Sequence, residues 1–183
     1  NDLSILEKNI KSKFDKTILA VPGIVGLKYA FLFIKKSKKL LIANKESIIC
    51  GGRILLSKAK ICKCSILSID SEHYCINQIL KKKELALIDS VYLTASGGPF
   101  LGRSKKSFCK STVAKVTNHP NWKMGKKIST DSATLVNKIF ELIEAHILFQ
   151  IPSKKLKIKI HKESLAHCAI VLKNGIVRII MHD

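Results

Sequence analysis

The sequence predicts an α/β protein in which a parallel-sheet unit comes first and a unit of mixed α+β character follows. Three observations carry that expectation. Through the first half, short apolar runs alternate with helix-length amphipathic stretches, the pattern of strand, crossover helix and parallel strand. Toward the end, Ala169–Leu172 and Ile176–Met181 flank Lys173-Asn174-Gly175, which is the signal of an antiparallel hairpin. An apolar share of 46% in 183 residues is sufficient for a real core.

Taken in order, Thr17–Val21 reads as a buried strand that enters a turn at Pro22, Gly23 and Gly26, with a helix from about Leu27 to Lys36. Leu40–Ala43 is the next strand, and the crossover between the two is expected to be right-handed. A helix across Ile48–Lys58 leads to a strand Ser65–Ile69, and a further strand covers Val91–Ala95. Functional groups in such sheets collect beyond the carboxyl ends of the strands. Those ends carry Asn44, Lys45, Glu46 and Ser47, then Asp70, Ser71, Glu72 and His73, then Ser96, Gly97, Gly98 and Pro99, so the three are expected to converge on one sheet edge. Each also has a plain reading as a helix cap or tight turn.

Phe100–Thr117 is basic and weakly periodic, fitting a surface helix and loops. Asn118–Lys127 mixes turn formers with the single tryptophan, Trp122, a buried anchor or a lid. Ile128–Phe149 is expected to form one helix, capped by Asp131 or Ser132, with Val136, Ile139, Phe140, Ile143 and Ile147 as its apolar stripe. Asn137, Lys138 and Glu141 lie off that stripe and share a face. They form either a solvated ion pair or part of a site. Leu156–His161 alternates apolar and Lys side chains, as a strand with one wet face does.

The 33 basic and 13 acidic residues leave a formal charge of +20, which raises nucleic acid or an anionic membrane as partners. The cations are mostly Lys, Arg is scarce and aromatics are only 6%, which weighs against groove reading and base stacking. A basic nucleic-acid-binding module stays as an alternative. The six cysteines lack C-x-x-C spacing and fit reduced thiols. The most apolar run, Tyr29–Ile34, is too short to span a bilayer. Beginning at Asn1 and ending at Asp183, the chain reads as a piece of something larger.

Asp70 and Glu72 leave a strand two residues apart, and Glu141 projects from a helix. Oxygen donors without cysteine suit a hard divalent cation, Mg²⁺ or Mn²⁺. The hydroxyls of Ser71, Ser96 and Ser132, the Asn137 amide, the Lys45 and Lys138 ammonium groups and the His119 imidazole supply donors for a phosphorylated polyol or sugar. Spacing by itself therefore points to a metal-dependent enzyme acting on a phosphorylated small molecule.

The segments ANKES (43–47), DSEH (70–73), TASGGPF (94–100) and NHPNWKMGKKISTDSAT (118–134) followed by NK and E at 137, 138 and 141 resemble 1-deoxy-D-xylulose 5-phosphate reductoisomerase, in the family's order and at about its spacing. The resemblance implies the end of a parallel-sheet NADPH-binding domain over 1–69, followed by an incomplete α+β catalytic domain over 70–183. It implies rearrangement and NADPH reduction of 1-deoxy-D-xylulose 5-phosphate to 2-C-methyl-D-erythritol 4-phosphate in non-mevalonate isoprenoid biosynthesis. Carried over, the metal ligands are Asp70, Glu72 and Glu141, and the catalytic residues are Lys45, Glu72 and Glu141. The same carry-over gives Lys45, Ser71, Glu72, Ser96, His119, Ser132, Asn137, Lys138 and Glu141 to the substrate, and Asn44, Glu46 and Gly125 to the nucleotide. Metal and Lys45 would stabilise an enolate-like intermediate before hydride reaches the aldehyde. In the family the loop with Trp122 is a lid, the enzyme is a homodimer, and the compartment is the bacterial cytoplasm or the plastid stroma, with no nucleic acid or membrane as partner.

Departures accompany the resemblance. The family's glycine-rich dinucleotide turn and C-terminal helical domain are missing from the sequence. Ile139 and Phe140 stand where Gly and Leu are usual, Tyr74 and Cys75 replace small residues, and Lys162 stands where Pro is common. A truncated, catalytically incompetent remnant of the same fold is thus the other reading, and the chain by itself is expected to bind NADPH poorly and turn over little.

Overall fold

A computed structural model describes residues 2–118 and 124–181. The chain divides into two compact units, Asn1–Tyr74 with Ile143–Gln150, and Cys75–Leu142 with Ile151–Asp183.

The first unit opens with helix α1 (Asp2–Asn9), then strand β1 (Phe14–Leu19), helix α2 (Val25–Lys36), strand β2 (Ser37–Ile42), helix α3 (Lys45–Ile61), strand β3 (Ser65–Ser68) and the start of helix α4 (Ser71–Ile79). The three strands pair in the order β1-β2-β3, all parallel, with Leu19 opposite Ile42 and Ile42 opposite Ser68. This is the expected double crossover, and its core is built from Leu19, Ala30, Ile34, Leu40, Ile42, Ile48, Leu55 and Ala59. Gly26 permits the close approach of α2 to its neighbours, because a Cβ there would lie 2.6 Å from the Val21 carbonyl oxygen and 3.0 Å from both Asn44 Nδ2 and Ser47 Oγ. Inside α3 the backbone kinks at Gly52, with φ +47° and ψ −135°, values that glycine adopts without a Cβ penalty.

The second unit contains strand β4 (Ile88–Ala95), short helices α5 (Lys105–Cys109) and α6 (Val113–Thr117), helix α7 (Lys126–Ala133) and the first half of helix α8 (Val136–Phe149). Strands β5 (Leu156–Ile160), β6 (Ala166–Leu172) and β7 (Val177–Met181) complete a sheet ordered β5-β4-β6-β7. β4 runs parallel to β5 and antiparallel to β6, so Val91 faces Ile170 and Leu93 faces Cys168, all four fully buried. The hairpin between β6 and β7 turns at Gly175, where φ is +84°. Glu84 and Arg178 form a two-pronged ion pair of 2.9 and 3.0 Å.

Three expectations need correction. β4 does not extend the parallel sheet; it pairs with β5 and β6, so its carboxyl end is not on the edge shared by β2 and β3. Ile128–Phe149 is not one helix, because Leu135 takes φ +60° and separates α7 from α8. Asp131 and Ser132 therefore lie in the last turn of α7, where Lys127 pairs with Asp131 at 2.7 Å, and Gly125 occupies the N-cap. The third is the buried face of α8: Ile139 and Ile143 are 50% and 40% exposed, whereas Lys138, Glu141, Glu144 and Ala145 are buried. Among the described residues no helix is long and apolar enough to cross a membrane.

Candidate functional site

In the first unit the chemistry gathers where β2 and β3 end. Asn44 is the N-cap of α3; its Oδ1 accepts from the Ser47 amide at 2.6 Å, and its Nδ2 donates to the carbonyls of Val21 and Gly23 at 2.6 and 2.9 Å. That clamp fixes the first turn of α3, which carries Lys45 and Glu46. Lys45 is buried, and its Nζ lies 2.9 Å from Asp70 Oδ2. Glu46 is partly exposed.

Asp70 stands at the start of α4, where its carbonyl accepts from the Tyr74 amide at 2.8 Å and its Oδ1 from the Glu72 amide at 3.3 Å. Ser71 Oγ donates to Glu72 Oε2 at 2.9 Å, and Glu72 is buried. Burial opposes ionisation of Asp70, but the hydrogen bond from His73 and the charge of Lys45 prevail and hold its carboxyl well below the usual range. An ionised Asp70 can only accept, so the His73 ring donates through Nδ1 at 3.2 Å.

Two residues here went unassigned in the sequence reading. His73 and Glu144 are both 0% exposed. His73 Nδ1 lies 3.5 Å from Glu144 Oε2, and the imidazole stacks on Phe149 at 6.2 Å with an angle of 10°. Burial pushes Glu144 up to about 7, with His73 working the other way and the Asp70 charge adding to the rise. His73 was visible inside DSEH, whereas Glu144 carries no motif. Its one signal is a carboxylate three residues beyond Glu141 on the same helix face.

In the second unit, Asn137 Nδ2 donates to Glu141 Oε1 at 2.5 Å, and Lys138 Nζ lies 2.5 Å from Glu141 Oε2. Glu141 is 1% exposed, so the solvated-face reading of this patch fails. The turn bearing Ser96 rests against the end of α7 bearing Ser132. A Cβ on Gly98, which has φ +65°, would meet the Ser132 carbonyl oxygen at 3.1 Å and the Ala133 Cα at 3.2 Å. Ser96 and Ser132 are both partly buried, and Gly125 is exposed at the head of α7. His119 and Trp122 fall outside the described residues.

Each unit thus presents acidic oxygens countered by a lysine, Asp70 by Lys45 and Glu141 by Lys138. Buried ion pairs of this kind contribute little to stability relative to apolar packing, so they point to chemistry.

Residues 66–149 match the 1-deoxy-D-xylulose 5-phosphate reductoisomerase C-terminal domain, and residues 4–52 match 1-deoxy-D-xylulose 5-phosphate reductoisomerase. The Pelagibacter ubique enzyme of that name is 41% identical over 185 residues, covering 100% of this chain and 48% of the relative. The Clostridium kluyveri enzyme is 44% identical over 161 residues, covering 88% and 42%. A crystal structure of DOX-P reductoisomerase in complex with NADPH, fosmidomycin and magnesium superposes with a TM-score of 0.91 at 35% identity, over 99% of this chain and 47% of that one. The Zymomonas mobilis enzyme in complex with NADPH gives a TM-score of 0.88 at 33% identity, over 99% and 46%. The chain spans about half the length of the relatives it matches. With two matched segments in the family's order and this likeness of fold, the chain belongs to the 1-deoxy-D-xylulose 5-phosphate reductoisomerase family.

Proposed function

We propose that the chain is the central portion of a reductoisomerase that rearranges and reduces 1-deoxy-D-xylulose 5-phosphate to 2-C-methyl-D-erythritol 4-phosphate in isoprenoid biosynthesis. Residues 1–69 would close the NADPH-binding domain and 70–183 would carry the catalytic domain. The observation that supports this best is the Lys45–Asp70 pair at 2.9 Å, with Lys45 buried and the Asp70 side chain 12% exposed, placed where β2 and β3 end in segments matching the family.

Asp70, Glu72 and Glu141 are the proposed metal ligands. The donor set fits a hard divalent cation: all are carboxylates, which supply the oxygen ligands such an ion takes, and Asp70 is held ionised. When bound, Mg²⁺ or Mn²⁺ supplies Lewis acidity at the substrate's ketone and hydroxyl oxygens, and NADPH supplies the hydride.

Lys45 and Ser71 then orient the ketone and hydroxyl, with the Lys45 ammonium as hydrogen-bond donor to oxygen that gains charge as the carbon skeleton shifts. Ser96, Ser132, Asn137 and Lys138 hold the phosphate, and His119 lies in the same substrate set. Lys138 supplies positive charge, and the Ser96 and Ser132 hydroxyls supply donors. Asn44, Glu46 and Gly125 take the nucleotide side. Because the Asn44 carboxamide already serves Val21, Gly23 and Ser47, its contact with a nucleotide would come from the main chain. In the complete enzyme we place this portion in a homodimer, in the cytoplasm or plastid stroma, without nucleic-acid or membrane partners.

The test is a Mn²⁺ titration of the chain with and without fosmidomycin, in the parent protein and in Asp70→Asn and Glu141→Gln. Fosmidomycin should tighten Mn²⁺ binding in the parent, and both variants should lose it. Unchanged Mn²⁺ binding in the two variants would remove them as ligands. Little turnover is expected from the 183 residues by themselves, so substantial NADPH oxidation with the substrate would contradict that expectation.

A further inference from the structure

We propose that Glu144 and His73 are positioning residues that hold the Asp70 carboxylate in one ligating orientation, Glu144 acting on His73 and His73 on Asp70. The proposal rests on the reading of Asp70 as a metal ligand.

The geometry of Asp70 leaves little freedom. Its Oδ2 receives Lys45 at 2.9 Å, and its Oδ1 receives His73 Nδ1 at 3.2 Å and the Glu72 amide at 3.3 Å. With both lone pairs of Oδ1 engaged and one of Oδ2, the lone pair left on Oδ2 is aimed in a fixed direction. Behind His73, Glu144 Oε2 lies 3.5 Å from the same Nδ1, an electrostatic contact and not a hydrogen bond, and the Phe149 ring stacks on the imidazole face. Glu144 and Phe149 both come from the second half of α8, so one helix supplies the support for the ring.

Packing gives no reason for Glu144. A leucine or methionine would fill similar space without desolvating a carboxylate, and the charged and polar groups around it are His73, Asp70, Ser68 and Lys45. A carboxylate retained at 0% exposure against the ring that touches a ligand has the form of an outer-shell support, the arrangement that fixes ligand direction at metal sites.

The experiment is Mn²⁺ titration of the 183-residue chain, followed by the EPR signal of free Mn²⁺, in the parent, Glu144→Gln and Phe149→Leu, with thermal melts as a control for folding. Loss of an outer-shell partner weakens metal binding by roughly 10- to 100-fold, and that loss is expected in Glu144→Gln, with a smaller one in Phe149→Leu. The Mn²⁺ echo spectrum should show no directly bound nitrogen. Phe149→Leu keeps every polar group and carries the test if Glu144→Gln does not fold. Equal Mn²⁺ affinity in folded variants and parent would overturn the proposal and leave Asp70 as a ligand. A directly bound nitrogen would also overturn it, because His73 would then be a ligand itself. A parent chain that binds no Mn²⁺ would overturn the ligand reading and this proposal together.

Discussion

Replacing Glu144 by Gln should make the metal-free protein more stable at alkaline pH while leaving it unchanged in mild acid. Glu144 is buried and pushed from 4.5 up to about 7, so the unfolded chain releases this proton near pH 4.5 while the folded chain keeps it until about pH 7. Between those values the folded state binds more protons, and stability therefore falls as pH rises through the interval. At about 1.4 kcal/mol per pH unit the whole interval is worth about 3 kcal/mol at most. A neutral amide of similar shape has no proton to lose. Asp70 does not blur the comparison, because its depressed value gives stability that is present above 3.8 and is lost only as pH falls further. Urea unfolding in the presence of a chelator, at pH 5 and pH 8, measures the effect. The variant should match the parent at pH 5 and exceed it at pH 8. A variant that is less stable at pH 8 would refute the reasoning, since Glu144 would then be a charged partner of His73 and no longer a desolvated acid.

Three further outcomes follow from the geometry. Lys45→Met removes the ammonium 2.9 Å from Asp70 and leaves a largely desolvated carboxylate with His73 and the Glu72 amide still donating to it, which should cost up to about 3 kcal/mol at neutral pH in urea unfolding; a parent-like midpoint would count against the pair. Gly98→Ala puts a Cβ 3.1 Å from the Ser132 carbonyl at φ +65°, and should cost about 1–3 kcal/mol by the same assay. Glu84 is lowered to about 2 by its hydrogen bond from Arg178, so it stabilises above pH 4.5 and that contribution is lost as pH falls toward 2. Glu84→Gln should therefore flatten the acid limb of a circular-dichroism titration in that window, and an unaltered limb would show that the ion pair does not contribute.

Much of the scaffold was legible because it rests on local rules. The run at 40–43 reads as a strand since a short apolar stretch follows a helix-length segment, and β2 occupies Ser37–Ile42. The hairpin at Lys173-Asn174-Gly175 was legible because Gly175 must take φ +84°. Other features obeyed no local rule. Val136, Ile139, Phe140, Ile143 and Ile147 have helical spacing, yet periodicity defines two faces without saying which turns inward. In α8 the polar face is buried with Glu141 held by Lys138 and Asn137, and with Glu144 beside His73 and pushed by burial toward its neutral form. The break at Leu135 was likewise hidden, since a leucine at φ +60° is unfavourable taken singly and is held there by its surroundings.

The sequence by itself determined the class of fold, the parallel crossovers, the hairpin, the motifs that resemble the family and a chemistry of oxygen donors with lysines. Tertiary structure decided that β4 joins a second sheet, that Glu141 is buried and that His73 and Glu144 stand behind Asp70. The reason is the range of the forces involved. Backbone conformation and side-chain periodicity are settled within a few residues, whereas the neighbour that a buried polar group meets comes from far along the chain, as Glu144 does for His73, more than seventy residues away.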